Sequence, residues 1–125
     1  MVLFVGDKPS KNSDPNHAFK GAKCEARLKE WIESIIATSD YMVINRVDEY
    51  FKECVNSHVK RGNPVIALGN AASKALKDIP HFKLPHPSGL NRKLNNKRAL
   101  RRQLDRARMF VSTAVQEYAV NQVRF

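Results

Sequence analysis

Short apolar runs alternate along the chain with segments in which apolar residues recur at helical spacing. The apolar runs predict four strands, at Met1–Val5, Tyr41–Ile44, Pro64–Leu68 and Phe82–Leu84. Spacings of three and four residues predict helices over about 22–38, 48–60 and 71–77. A last stripe, from Leu100 through Val115 to Tyr118, predicts a long helix over about 96–120 that Asn95 or Asn96 can cap. This alternation indicates a three-layer α/β/α sandwich with a central four-stranded, mostly parallel sheet.

The length of 125 residues fits a single domain, 1–125, that can bury a core without disulfides or metals. No apolar run approaches the ~20 residues of a membrane span, and the first run ends at Gly6, too early for a secretory signal. We therefore expect a monomer in the cytoplasm or on the nucleoid. Cys24 and Cys54 fall in predicted helices and are expected to be buried free thiols. Two cysteines are too few for a four-cysteine cluster, and we expect neither a metal nor an organic cofactor.

The charge of the chain is unevenly distributed. Lysine and arginine number 22 against 12 acidic residues, which gives a net charge of +10. Much of the excess lies between Arg92 and Arg108, where Asp105 is the single acid. A dense basic patch gains affinity for polyphosphate by releasing condensed counterions. We therefore expect the patch 92–108 to bind DNA, single- or double-stranded, although a solvated helix face is the simpler alternative.

Polar, turn-forming residues follow each predicted strand. They are Gly6-Asp7-Lys8-Pro9-Ser10 after the first strand, Asn45 after the second, Gly69-Asn70 after the third and the segment His86–Asn91 after the fourth. The carboxyl ends of parallel strands share one edge of the sheet, and such sheets bind ligands in the crevice beyond that edge. The sequence thus predicts a ligand site there.

The residues at this edge match the needs of N-glycosidic bond hydrolysis. Asp7 can stabilise a sugar cation and orient water, and His86 can donate to the oxygen of the departing base. Asn45 can pair with a carbonyl and an N–H on one base edge, and Phe19 can stack on an extruded base. Each residue type alone is also common in caps, turns or cores. Their joint placement is what favours function.

The same segments, in order, resemble the uracil-DNA glycosylase superfamily. Gly6-Asp7-Lys8-Pro9-Ser10 is similar to its glycine-acid-x-proline loop, and Phe19-Lys20-Gly21 to its base-stacking segment. Met42-Val43-Ile44-Asn45 is similar to the strand that ends in the base-reading asparagine. The family's last motif and the strand and turn before it also have counterparts. The strand and turn are similar to Val65–Ala72, and the motif is similar to His86-Pro87-Ser88-Gly89-Leu90-Asn91. The resemblance implies Asp7 and His86 as catalytic residues and Phe19 and Asn45 as base-binding residues.

The resemblance also implies a DNA-contacting surface. Ser10 and Ser88 would hold phosphates, and Leu90 would enter the duplex. The basic last helix has no counterpart in the family motifs, and its expected DNA contacts rest on the clustered charge alone. Together, the full set expected to contact DNA is Ser10, Ser88, Leu90, Asn91, Arg92, Lys93, Lys97, Arg98, Arg101 and Arg102.

The chain departs from the family pattern at its first motif. Asp7 stands where the iron–sulfur branch usually has glutamate, and Lys8 stands where other branches have the catalytic aspartate or asparagine. The four cluster cysteines of the iron–sulfur branch are absent. A shift of about 1 Å in a positioned group can cost roughly 10²-fold in rate, so the shorter Asp7 bears directly on activity.

The sequence therefore predicts a glycosylase that removes uracil, or a related modified pyrimidine, from DNA. The alternative is a DNA-binding protein that keeps the pocket without the chemistry and recognises a modified base or serves in a larger DNA-processing complex. A plain nucleotide-binding domain is disfavoured, because the chain contains neither common glycine-rich phosphate loop.

Overall fold

The computed structural model describes residues 1–7, 25–36, 40–87 and 96–123, with side chains up to residue 117. Four strands form one sheet: β1 (Val2–Gly6), β2 (Tyr41–Asn45), β3 (Val65–Leu68) and β4 (Phe82–Leu84). The order across the sheet is β2-β1-β3-β4, and every pair is parallel. The predicted fold class is confirmed, with a sheet that is parallel throughout.

Four helices cover the two faces of this sheet: α1 (Glu25–Ile35), α2 (Phe51–Lys60), α3 (Asn70–Ala75) and α4 (Lys97–Val123). One core joins α1 and α4 to a sheet face through residues such as Trp31, Phe4 and Leu104. The other core joins α2 and α3 to the opposite face through residues such as Val55, Val5 and Ala72. β1 and β3 are buried along their whole length, which explains why their sequences are continuous apolar runs without alternation.

Successive strands are added on one side of β1 first and then on its other side. The chain steps from β1 outward to β2, and then crosses back over β1 to β3 and onward to β4. Helix α1 therefore lies on one face, and α2 and α3 lie on the other, as right-handed crossovers require. The connections after β1 and β3 leave on opposite faces, which opens a crevice between the carboxyl ends of these two strands.

Several predicted boundaries shift. The helix predicted from about residue 48 begins at Phe51, because the side chain of Asp48 accepts a hydrogen bond from the Tyr50 N–H at 2.9 Å and forms a turn there. Cys54, expected to be fully buried, is only half-buried, with its Sγ 4.0 Å from the Met42 sulfur. Cys24 lies outside the described residues.

Asn96 caps the last helix, as predicted: its Oδ1 accepts a hydrogen bond from the Ala99 N–H at 3.0 Å. Leu104, Ala107 and Val111 of the predicted stripe are buried. Val115 was wrongly placed on that stripe, since it is 52% exposed. Residues 115–117 are all exposed, so this part of the helix does not pack against the core.

The start of α4 lies at the carboxyl edge of the sheet. The ring of Phe110 packs 5.8 Å from that of Phe82, at the amino end of β4. Leu104 and Ala107, which precede Phe110, are buried in the same core as Leu84 at the carboxyl end of β4, whereas residues 115–117 are exposed. This places the first turns of the helix towards the carboxyl ends of the strands. From Lys97 to Phe110 the helix measures about 20 Å at 1.5 Å per residue, whereas three-residue β4 spans about 10 Å. The basic first turns of α4 therefore reach the loops that follow the strands.

Among the described residues, no helix combines the length and the apolar character needed to cross a membrane.

Candidate functional site

The pairing of β1 with β2 sets the geometry of the carboxyl edge. Gly6 lies opposite Asn45, so the next residues, Asp7 and Arg46, emerge side by side. The backbone N–H of Arg46 donates to the Gly6 carbonyl at 2.9 Å, which extends the ladder by one step and fixes this juxtaposition. Asp7 and Asn45 are thereby brought together, as the sequence predicted.

Asn45 is a buried polar side chain, only 6% exposed at the end of β2. Within the part of the chain that the structure describes, its Oδ1 is buried without a hydrogen-bond partner. Leaving such an acceptor unsatisfied costs about 1–3 kcal/mol, and native proteins rarely tolerate this outside functional sites. An N–H on the edge of a ligand would satisfy the atom.

Gly69, directly after β3, brings His86 close to the backbone. Its φ of +96° and ψ of 177° lie in a region that is essentially restricted to glycine. A Cβ at this position would stand 3.1 Å from the Cβ of His86. The Gly69 N–H donates to the Leu84 carbonyl at 2.8 Å, which ties the turn after β3 to the end of β4. Glycine is therefore required for both the turn and the seating of the histidine.

His86 lies half-buried at this edge. Burial lowers its pKa below the ordinary histidine value, and the negative charge of Asp7 opposes that shift in part. Burial thus favours the neutral imidazole, and the carboxylate of Asp7 favours the charged form. The adjoining Pro87 is buried, and its carbonyl accepts a hydrogen bond from Arg27 of α1 at 3.2 Å. This contact anchors the loop that carries His86.

Asp7 forms an ion pair with Arg46, whose Nε donates to the Asp7 Oδ1. Their side chains are 27% and 38% exposed, so the pair lies at the mouth of the crevice. Sequence reasoning considered Lys8 as the neighbouring cation and missed Arg46. The signal was available in principle, because pairing Gly6 with Asn45 places the following residues together.

Several predicted site residues lie outside the described residues. These are Phe19, Ser10, Ser88, Leu90, Asn91, Arg92 and Lys93, together with Lys8. The described part of the site therefore consists of Asp7, Asn45, Arg46, Gly69 and His86.

The predicted basic surface on α4 is exposed along its described length. Lys97, Arg98, Arg101 and Arg102 all lie at the surface. Asp105 neutralises part of the charge, through contacts of 3.6 Å to Arg101 and 3.9 Å to Arg108. Such exposed pairs contribute about 0–1 kcal/mol to stability and are easily exchanged. The cations thus remain accessible to a polyanion beside the crevice.

No group of three or more His, Cys, Asp or Glu side chains within residues 1–7, 25–36, 40–87 and 96–117 is arranged to hold a metal ion. The described side chains instead offer a carboxylate, a buried amide and a neutral imidazole around one crevice. This set can bind a neutral heterocycle by hydrogen bonds and can stabilise a cation next to it.

A parallel α/β sandwich with these groups at its carboxyl edge defines a class of proteins that bind a ligand at the switch point of the sheet. The family model of the uracil DNA glycosylase superfamily matches residues 1–108, and the chain belongs to this superfamily. The expected family membership is confirmed. Neither the curated proteins nor the solved structures contain a significant match to the chain.

Proposed function

We propose that this protein is a DNA glycosylase that hydrolyses the N-glycosidic bond of uracil, or of a related modified pyrimidine, in a flipped nucleotide. Membership of the superfamily supports a glycosylase-like function in general. The choice of a pyrimidine with a uracil-like edge rests on the chemistry of the crevice. The place of action would be the cytoplasm or the nucleoid.

The buried amide of Asn45 is the observation that carries the proposal. Its unpartnered Oδ1 can accept the N3–H of uracil, and its amide nitrogen can donate to O4. Cytosine presents an acceptor at N3 and a donor at C4, so the same amide orientation would meet two mismatches. Because an unsatisfied buried acceptor is costly, a ligand edge that presents an N–H to Oδ1 is strongly preferred.

Asp7 and His86 then take the two roles that the reaction needs. The Asp7 carboxylate orients water towards C1′ and stabilises the positive charge that develops on the sugar. Neutral His86 donates an N–H to the O2 of the departing base, which leaves as an anion. The burial that lowers the pKa of His86 favours the neutral imidazole, which supports a role as hydrogen-bond donor over proton transfer.

The exposed cations at the start of α4 are suited to hold the DNA backbone. In this proposal Lys97, Arg98, Arg101 and Arg102 contact phosphates, which gives affinity without sequence preference. Replacing Arg101 and Arg102 by alanine should weaken binding to all DNA sequences alike. It should also reduce the slope of the logarithm of the binding constant against the logarithm of salt concentration by about two released ions. Lys60 and Arg61, exposed at the far end of α2, provide a matched double replacement that should leave the salt dependence nearly unchanged.

The direct test measures abasic sites in oligonucleotides that carry one uracil, either single-stranded or opposite guanine or adenine. We expect uracil-dependent cleavage after alkali treatment, lost in Asp7→Ala with DNA affinity retained. Asp78→Ala removes an exposed carboxylate from the turn between α3 and β4 and should remain active. Uracil-containing DNA that is bound no better than plain DNA and never cleaved would contradict the proposal.

The ion pair between Asp7 and Arg46 favours one alternative. A guanidinium held against the carboxylate opposes a developing sugar cation, so a protein with this pair can recognise a base without excising it. In that case uracil-containing or C5-modified DNA would bind more tightly than plain DNA, Asn45→Ala would remove the preference, and no abasic site would form.

A further inference from the structure

Arg46 uses only part of its hydrogen-bonding capacity on Asp7. The guanidinium carries five N–H donors in a rigid plane, and the contact with Asp7 is made through Nε. Among the described residues, neither terminal nitrogen has a hydrogen-bond or ion-pair partner. With the side chain 38% exposed, these nitrogens are open to a ligand at the mouth of the crevice.

Arg46 lies between the site where Asn45 would contact a base and the rim where a phosphate of the same nucleotide would lie. It follows Asn45, which is buried at the carboxyl end of β2, and it lies beside Asp7. A nucleotide seated on Asn45 brings its own phosphodiester to the rim of the same crevice. The negative charge of Asp7 repels that phosphate, so a cation at this point offsets the repulsion.

We propose that Arg46 is a positioning residue that bridges Asp7, through Nε, to a phosphodiester of the DNA strand, through its terminal nitrogens. This inference rests on the proposed function and adds a strand-sensing role to it. Binding of the phosphate fixes the plane of the guanidinium, and that plane in turn fixes the Asp7 carboxylate. A nucleotide within a strand is therefore processed faster than a free nucleoside, which supplies no phosphate to Arg46.

Arginine suits this role better than lysine. Its planar fork presents Nε–H on one side and the terminal N–H groups on the other, so one side chain can contact two anions in fixed directions. Retention of an exposed ion pair for stability alone is a weaker explanation, because such pairs contribute little.

Two replacements separate the arms of the bridge. Arg46→Gln keeps an N–H donor where Nε stands but loses the terminal nitrogens and the charge. Arg46→Met has the length of the glutamine variant and loses both contacts. Arg61→Gln, at the opposite edge of the sheet, is the matched control for loss of one arginine charge. The readouts are DNA affinity against salt for a uracil oligonucleotide, and single-turnover rates on that substrate.

We expect both Arg46 variants to bind the oligonucleotide roughly tenfold more weakly and to lower the salt slope by about one ion, whereas Arg61→Gln does neither. Arg46→Gln should lose part of the single-turnover rate, because no phosphate contact then fixes the group that holds Asp7. Arg46→Met should lose more, about 10²-fold, because Asp7 is not held at all. An unchanged salt slope in both variants would overturn the bridge. A faster rate in Arg46→Met would also overturn the bridge and would show that the ion pair between Asp7 and Arg46 inhibits the reaction.

A failure of the proposed glycosylase function can be distinguished from a failure of the phosphate contact at Arg46. If the unmodified protein releases no uracil, the glycosylase proposal fails, and the bridge is judged on the salt slopes alone. A slope lowered by about one ion in both variants would then support the phosphate contact, and an unchanged slope would exclude it.

Discussion

Gly69→Ala tests whether the backbone after β3 holds His86 in place. The added methyl group would sit 3.1 Å from the Cβ of His86, and the residue would have to keep a φ of +96°. Few side-chain contacts of Cβ atoms are as short, so either His86 or the turn must move. The turn is itself restrained by the 2.8 Å hydrogen bond from Gly69 to Leu84. The histidine, at the start of a loop, is therefore the group expected to give way.

The expected destabilisation follows from two opposing contributions. Holding a residue other than glycine in this region costs of order 1–3 kcal/mol. Alanine also restricts the unfolded chain, which returns about 0.4–1 kcal/mol. The net loss is roughly 0–2.6 kcal/mol, or up to about 10 °C in Tm for a chain of this size. A shift of His86 by a few tenths of an ångström would be added to this loss and would reduce uracil release.

Thermal unfolding and single-turnover uracil release, measured well below the Tm, would separate the two effects. Gly62→Ala is the control, because Gly62 has a φ of +75° at the end of α2, on the edge of the sheet away from the site. This variant should lose stability and keep its rate, whereas Gly69→Ala should lose both. A Gly69→Ala protein with unchanged Tm and unchanged His86 resonances would refute the argument.

Three further predictions concern single groups. Asn45→Ala should reduce the affinity for uracil-containing DNA to that for plain DNA, measured by fluorescence anisotropy, and retained discrimination would exclude Asn45 as the base reader. The His86 ring should titrate below 6.5 by NMR, and lower still in Asp7→Asn, since burial depresses its pKa and Asp7 raises it; a higher midpoint in the variant would contradict this. Because the folded-state pKa is depressed, the contribution of His86 to stability is complete above pH 6.5 and is lost as the pH falls through the folded pKa. Leu104→Ala should cost about 2–4 kcal/mol in urea unfolding, against less than about 0.5 kcal/mol for exposed Met109→Ala; equal effects would show that α4 is not anchored through Leu104.

The sheet could be predicted from the sequence because its strands are covered on both faces. Four short apolar runs separated by helical periods leave few arrangements other than a parallel sheet between helix layers. The boundaries were less accessible, since they depend on side-chain contacts such as the Asx turn at Asp48. Val115 could not be excluded from the core, because periodicity predicts which face of a helix is apolar but not how far the neighbouring elements extend.

The site was predictable to the extent that strand ends are predictable. Asp7, Asn45 and His86 each follow an apolar run, and the shared edge of a parallel sheet brings them together. The role of Gly69 could not be predicted from the sequence. It follows from the positive φ of Gly69 and from the 3.1 Å that would separate a Cβ at this position from the Cβ of His86. Glycine after a strand is otherwise an ordinary turn former.

Arg46 was missed because its importance arises from register and not from a motif. The two strands are separated in sequence by the whole of α1, and a shift of one residue would place a different side chain opposite Asp7. Once Gly6 is paired with Asn45, the carboxylate and the guanidinium must meet. The same pairing places Asn45 next to Arg46. Under the proposed function, the contacts with a base and with a phosphate would therefore both lie at the end of β2. Changes at Arg46 should therefore alter both affinity and rate, whereas changes on α4 should alter affinity alone.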